Sequence, residues 1–108
     1  MKVIHKYILP FQEIAYISMP SKSTILRIDG INGQIYVWAV IDTENQLVEH
    51  KFYLFKTGME MPNDIASYCY HGCGAIFIGM ELMMYVYTNP TDQYQTTPEV
   101  TKWEGFPK

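Results

Sequence analysis

Charge is scarce in this 108-residue sequence. Asp, Glu, Lys and Arg make up 18% of it, against about a quarter in an ordinary domain. The eight basic residues are scattered and outnumbered by eleven acidic ones, giving a formal net charge of −3. Holding a phosphate backbone takes several cations on one face, because counterion release supplies most of the affinity. A nucleic-acid polymer is therefore not an expected partner, whereas one Arg and a few backbone amides could still hold a single nucleotide. Long apolar runs are also missing. The longest, around Ala75–Ile78 and Leu82–Val86, are strand-sized, while crossing a bilayer takes roughly 20 residues, so no membrane partner is expected. Met1–Lys6 is a charged, alternating segment and not the apolar stretch of an export signal. The two cysteines, Cys69 and Cys73, are accordingly expected as reduced thiols in a cytoplasmic setting.

Helical periodicity is nearly absent as well. A helix fits only Asn63–Tyr68, and there for barely two turns. Alternation with period two runs through most of the chain, and a mass of 12.6 kDa allows one core. The pattern predicts an all-β domain over residues 1–88, a small antiparallel sandwich or partly open barrel of six to eight strands. Lys2–Leu9 is the first strand, with Val3, His5, Tyr7 and Leu9 on one face, and Pro10 ends it because proline cannot donate to a ladder. Glu13–Ser18 is a short second strand. The clearest unit is Ile25–Asp42, where Asn32-Gly33 separates two alternating apolar runs, the strongest short hairpin signal. A type I′ turn there sets Ile31 opposite Gln34, Asp29 opposite Tyr36, Arg27 opposite Trp38 and Ile25 opposite Val40. Leu26, Ile28, Gly30, Ile35, Val37 and Ala39 then form a purely apolar face, expected as core. Leu47–Lys56 follows. Ser67–His71 and Ala75–Ile78 read as separate short strands around Gly72-Cys73-Gly74, and Glu81–Thr88 is the last long strand. Alternation stops at residue 89. Residues 89–108 form an extension that carries Trp103 and Phe106, and it is expected to dock on its own domain or on a neighbouring subunit.

What the sequence has in excess is adhesive side chain: nine Tyr, five Phe, two Trp and seven Met. Arg27 beside Trp38, with Asp29 and Tyr36 as neighbours, is the best placed polar-aromatic patch. It reads either as cross-strand stabilisation or as a recognition surface, since Arg, Trp, Tyr and Met are enriched at interfaces. The last strand is apolar on both sides, with Met80, Leu82, Met84 and Val86 against Met83, Tyr85 and Tyr87. A chain this short seldom buries both faces of such a strand, which points to a homo-oligomer. Arg27, Asp29, Tyr36, Trp38, Tyr85, Tyr87 and Trp103 are the candidate contact residues. Cys69, His71 and Cys73 place three metal-type ligands within five residues, and on a regular strand they share one face. A zinc site needs a second ligand pair that the sequence does not offer, so no metal and no cofactor are expected. No nucleophile, base and orienting group fall into a recognisable motif, so no catalytic residues are assigned.

The order of these signals resembles a family of small uncharacterised domains encoded mainly by bacteriophages. The resemblance rests on the strand Lys2-Val3-Ile4-His5-Lys6-Tyr7, Met19-Pro20 ahead of Ile25-Leu26, the Asn32-Gly33 turn, Trp38-Ala39-Val40-Ile41-Asp42, Thr57-Gly58-x-x-x-Pro62 and Met84-Tyr85-Val86-Tyr87. It covers about residues 2–88. Met59 stands where such domains often have His, and Met84-Tyr85 where Trp-His is common. The resemblance implies a phage accessory protein in the host-cell cytoplasm and supplies no catalytic residues. The expected function is non-enzymatic: a host-takeover or anti-defence factor that binds a host protein or sequesters a small nucleotide-like signal. The alternative is an assembly accessory acting through self-association; the third reading is a small enzyme built on Cys69, His71 and Cys73.

Overall fold

The computed structural model describes residues 1–92 and, for the backbone alone, 95–96. Among them are seven main strands in two antiparallel sheets that pack as an open sandwich and do not close into a barrel. The first sheet holds β1 (Lys2–Leu9), β4 (Gln34–Asp42) and β3 (Thr24–Ile31), in the order β1-β4-β3. The second has the order β2-β5-β7-β6, from β2 (Ile14–Pro20), β5 (Leu47–Lys56), β7 (Glu81–Thr88) and β6 (Cys69–Phe77). A two-residue strand, β8 (Gln95–Thr96), pairs with β5 at Val48 and Glu49. Asn63–Tyr68 forms only a single 3-10 turn at Ile65–Ser67, with no side-chain cap at Asp64.

Each strand turns its alternate residues inward, and the two inner faces meet in one core. Ile35, Val37, Ala39 and Ile41 from β4 face Ala15, Ile17, Met19, Phe52, Leu54, Met84 and Val86 from the other sheet. The Asn32-Gly33 turn has φ of 53° and 80° at its two central residues, the left-handed pair that a I′ hairpin needs. From there Ile31–Gln34, Asp29–Tyr36 and Arg27–Trp38 pair as expected.

Beyond Arg27 the register changes. A bulge between Ile25 and Arg27 pairs Ile25 with Ala39 and Thr24 with Val40, instead of Ile25 with Val40. Leu26 is the extra residue. It points outward, 51% exposed, and Ile25 packs on the core in its place. The expectation of Leu26 in the core is thereby corrected.

A second correction concerns β6, which runs unbroken from Cys69 to Phe77 where two short strands were expected. Its glycines do not mark a turn. They lie where β6 approaches β3 from the other sheet so closely that a Cβ on Gly74 would stand 2.8 Å from the Gly30 nitrogen, and one on Gly30 2.6 Å from the Ala75 backbone. No ladder joins β3 and β6 among the described residues. On the β3 side the Gly30 amide instead donates to its neighbour's carboxylate, Asp29 Oδ1, at 2.8 Å. A bare backbone contact thus closes this long side of the sandwich.

The apolar look of both faces of β7 also has an internal explanation. The strand is flanked by β5 and β6; Met84 and Val86 are buried on the inner side, with Leu82 packed against the core. On its outer side Tyr87 meets Phe55 edge-on at 5.6 Å and Tyr70 at 5.1 Å, while Tyr68, just beyond the 3-10 turn, meets Tyr53 at 5.2 Å.

The two ends of the sandwich differ in chemistry. At one end lie Met1 and the polar connections Ser21-Lys22-Ser23, Thr43-Glu44-Asn45-Gln46 and residues 89–92. At the other lie the β1–β2 connection with Phe11, the Asn32-Gly33 turn and the β6–β7 turn Ile78-Gly79-Met80.

Candidate functional site

β4 is the central strand of the three-stranded sheet, so its outward residues Tyr36, Trp38 and Val40 have neighbours on both sides. Lys6 of β1 pairs directly with Trp38, and Arg27 of β3 pairs with it from the other side. The Arg27 guanidinium carbon lies 5.2 Å from the centre of the Trp38 ring system, and Lys6 Nζ lies 5.9 Å from Trp38 and 4.8 Å from Tyr36. Tyr36 and Trp38 are tilted at 52° with centroids 6.2 Å apart, and the Tyr36 hydroxyl donates to Gln34 Oε1 at 3.0 Å. Arg27 pairs with Asp29 Oδ2, while Asp29 Oδ1 takes the Gly30 amide. Cation–π contacts at such exposed positions are worth about 0.5–1 kcal/mol each. Asp29 is therefore occupied with holding Arg27 over the indole and with satisfying an edge amide. Around this centre Ile4, Ile8 and Leu26 are 61%, 56% and 51% exposed. The outer face is an aliphatic and aromatic surface with Lys2, Lys6, Arg27, Asp29 and Asp42 set into it.

Sequence reasoning grouped Arg27, Asp29, Tyr36 and Trp38 correctly. Tyr85 and Tyr87 lie on the outer face of the other sheet, on the opposite side of the molecule, half-buried in their own aromatic cluster. Trp103 and Phe106 lie outside the described residues.

Cys69, His71 and Cys73 do not share a face. The register of β6 slips between Tyr70 and Gly72, where Gly72 has a φ of 140°, so His71 is the bulged residue and Cys73 turns to the side opposite Cys69. Cys69 is exposed opposite Thr88, whereas Cys73 sits with Tyr70 and Tyr85. Hydrogen bonding to Cys73 pushes the Tyr70 hydroxyl up to about 12. Among the described residues no three His, Cys, Asp or Glu side chains gather as a metal site would require.

The bulge instead turns His71 toward a cleft of about 330 Å³ at the polar end, which it lines together with His50, Thr24, Phe52, Thr88 and Asp92. His71 Nε2 and Thr88 Oγ1 are 2.7 Å apart. His50 is 5% exposed, and its Nε2 stands 3.2 Å from the Met19 carbonyl oxygen and 3.1 Å from that of Pro20. Both carbonyls can only accept, so Nε2 carries the proton. Burial lowers the pKa of both imidazoles and, for His50, outweighs the opposing pull of the Pro20 and Met19 carbonyls. The cleft escaped the sequence reading because His50 and His71 come from different strands, and nothing local to either predicts their meeting.

The chain belongs to the family described as a domain of unknown function, DUF7352, whose model matches residues 1–97. No curated protein and no solved structure matches it.

Proposed function

We propose that this DUF7352 member is a non-enzymatic binding module of the phage type, acting in the host-cell cytoplasm as a takeover or anti-defence factor, and that its partner is a host protein. The observation that carries this reading is the outer face of the β1-β4-β3 sheet. There large apolar side chains stand more than half exposed around a Trp flanked by two cations. Trp, Tyr and Arg at the centre of an uncovered apolar surface are the composition of a protein-binding hot spot. A nucleotide-like ligand suits the face less well. Arg27 and Lys6 already lie over the indole, and a base would have to displace them to stack. The same face would also serve a second copy of the chain, the contact an expected homo-oligomer would use.

The test is capture of proteins from lysed host cells by the full chain, wild type against Trp38→Ala, identified by mass spectrometry. One or a few host proteins retained by the wild type and lost from the variant are expected. Identical profiles for the two, or a melting temperature raised by nucleotides and not in Arg27→Ala, would overturn the reading.

A further inference from the structure

We infer that the free edge of β1 takes an extended segment of a partner protein as an added antiparallel strand, and that this segment carries Asp or Glu on either side of an apolar residue at alternate positions. The inference rests on the chain being a protein-binding module, but it puts the contact at the sheet edge, one strand away from Trp38.

The two long sides of the sandwich are unlike. One is closed by the backbone contact of β3 with β6. On the other, β1 and β2 are each the last strand of their sheet, and among the described residues β1 pairs with β4 alone. Its eight residues keep one register throughout, with no bulge and no Pro. That register sets Lys2 opposite Asp42, and one step earlier the Thr43 amide donates to the Met1 carbonyl at 2.9 Å. Bonded and non-bonded pairs alternate along an antiparallel ladder. Val3, His5, Tyr7 and Leu9 therefore direct their backbone groups to β4, whereas Lys2, Ile4, Lys6 and Ile8 direct theirs away from the sheet. Such a row of open amides and carbonyls is the template for strand addition.

The side chains of these same four residues lie on the outer face, and all are exposed. Lysine on an edge ordinarily keeps other strands off. It admits a strand that brings the opposite charge, because residues directly opposite each other attract or repel according to sign. Carboxylates facing Lys2 and Lys6, with an apolar residue facing Ile4, give the pattern acidic-x-apolar-x-acidic. The carboxylates nearby are already engaged: the terminal amine faces Asp42 and Glu44, and Arg27 holds Asp29. Lys2 and Lys6 form no direct ion pair among the described residues. β1 contains no Asp or Glu, so a second β1 laid against it matches neither lysine in any register. A bilayer interior could not satisfy the outward amides. β2, the other open edge, carries no charge from Ile14 to Pro20 with which to select a strand.

The test is selection of a displayed random 12-residue peptide library on the full chain, followed by affinity measurement with the best peptide made synthetically. Enriched peptides are expected to share the acidic-x-apolar-x-acidic pattern. Lys2→Glu with Lys6→Glu should weaken the peptide about thirtyfold. A peptide with both acids changed to Lys should bind that double variant as the original binds the wild type. Ile4→Pro deletes an outward amide and no bond to β4, so it should still melt cooperatively and lose the peptide. Should Ile4→Pro not fold, the charge exchange decides alone. N-methylation of the peptide's central apolar residue, whose amide faces β1, should abolish binding, and N-methylation of the next residue should leave it intact. No enrichment, basic or uncharged peptides, no recovery on charge exchange, or the opposite N-methylation pattern would overturn the site. So would Lys6-dependent sedimentation with phosphatidylserine vesicles, an Ile4-dependent dimer, or competition by a synthetic peptide of residues 97–108, which assign the edge to lipid, to a second copy or to the chain itself. In the host-lysate capture, loss in Trp38→Ala with full retention by Ile4→Pro removes the edge site and leaves the sheet-face reading standing; the reverse pattern removes the sheet face and keeps the edge.

Discussion

At Gly30 and Gly74 a methyl group has no room. The atoms a Cβ would meet are backbone atoms of the facing strand, at 2.6 Å and 2.8 Å, and backbone in a packed strand cannot swing aside. Gly74→Ala is expected to destabilise the chain by about 1–3 kcal/mol through overpacking, read as a shift in the urea midpoint. The two cleft histidines make a second residue-scale prediction. Burial holds the pKa of His50 and of His71 below the ordinary 6.5, so over the window just below that value the unfolded chain binds more protons than the folded one. Stability then rises with pH and is lost on acidification. The melting temperature should fall as pH drops from about 7 to about 5. In His50→Gln, whose amide still donates to the Met19 and Pro20 carbonyls, the fall should be shallower. An equally steep fall in the variant would show that His50 is not its source.

Among the elements, the β3–β4 hairpin was legible because a turn of known type counts register outward from itself. Asn32-Gly33 fixed the pairs as far as Arg27–Trp38. The count failed where the strand stopped being regular, and no residue between Ile25 and Arg27 announces a bulge. Leu26 and Ile28 look interchangeable in sequence, yet one is solvent-facing and the other 7% exposed. Leu26→Ala should change stability by no more than about 0.5 kcal/mol, and Ile28→Ala should cost about 2–5 kcal/mol. Equal costs in chemical denaturation would contradict the bulge. In β6 the failure has a different physics. Glycine usually punctuates turns, but Gly74 serves a close approach by a strand more than forty positions earlier in the chain, which no local pattern can reveal. The slip at Gly72, likewise, is what separates Cys69 from Cys73.

For the whole molecule, alternation tells which residues share a face but not which face is covered. Met83, Tyr85 and Tyr87 read as a contact surface because Phe55 and Tyr70, which meet Tyr87, are distant or ambiguous in sequence. Tyr36 and Trp38 read the same way and do lie on the uncovered side. The aromatic and Met excess is thus divided between an internally satisfied cluster, the Trp38 face and the apolar end. The uncovered portions should make the native chain brighten an apolar-surface dye such as ANS without unfolding. Ile4→Lys with Ile8→Lys should lower that signal, and Tyr85→Ser should leave it nearly unchanged. A native chain that leaves the dye dark would mean that these surfaces are already covered.

The contrast between the two ends also fixes an orientation. Met1 is held at the polar end by its amine, 3.1 Å from Asp42 Oδ1, and the chain leaves β7 at that same end through residues 89–92. A tag fused ahead of Met1 therefore anchors the protein by its polar end. On a sensor surface or a fusion partner, Phe11, Ile78 and Met80 would be the part held farthest from the tether, facing solution like the tip of a probe.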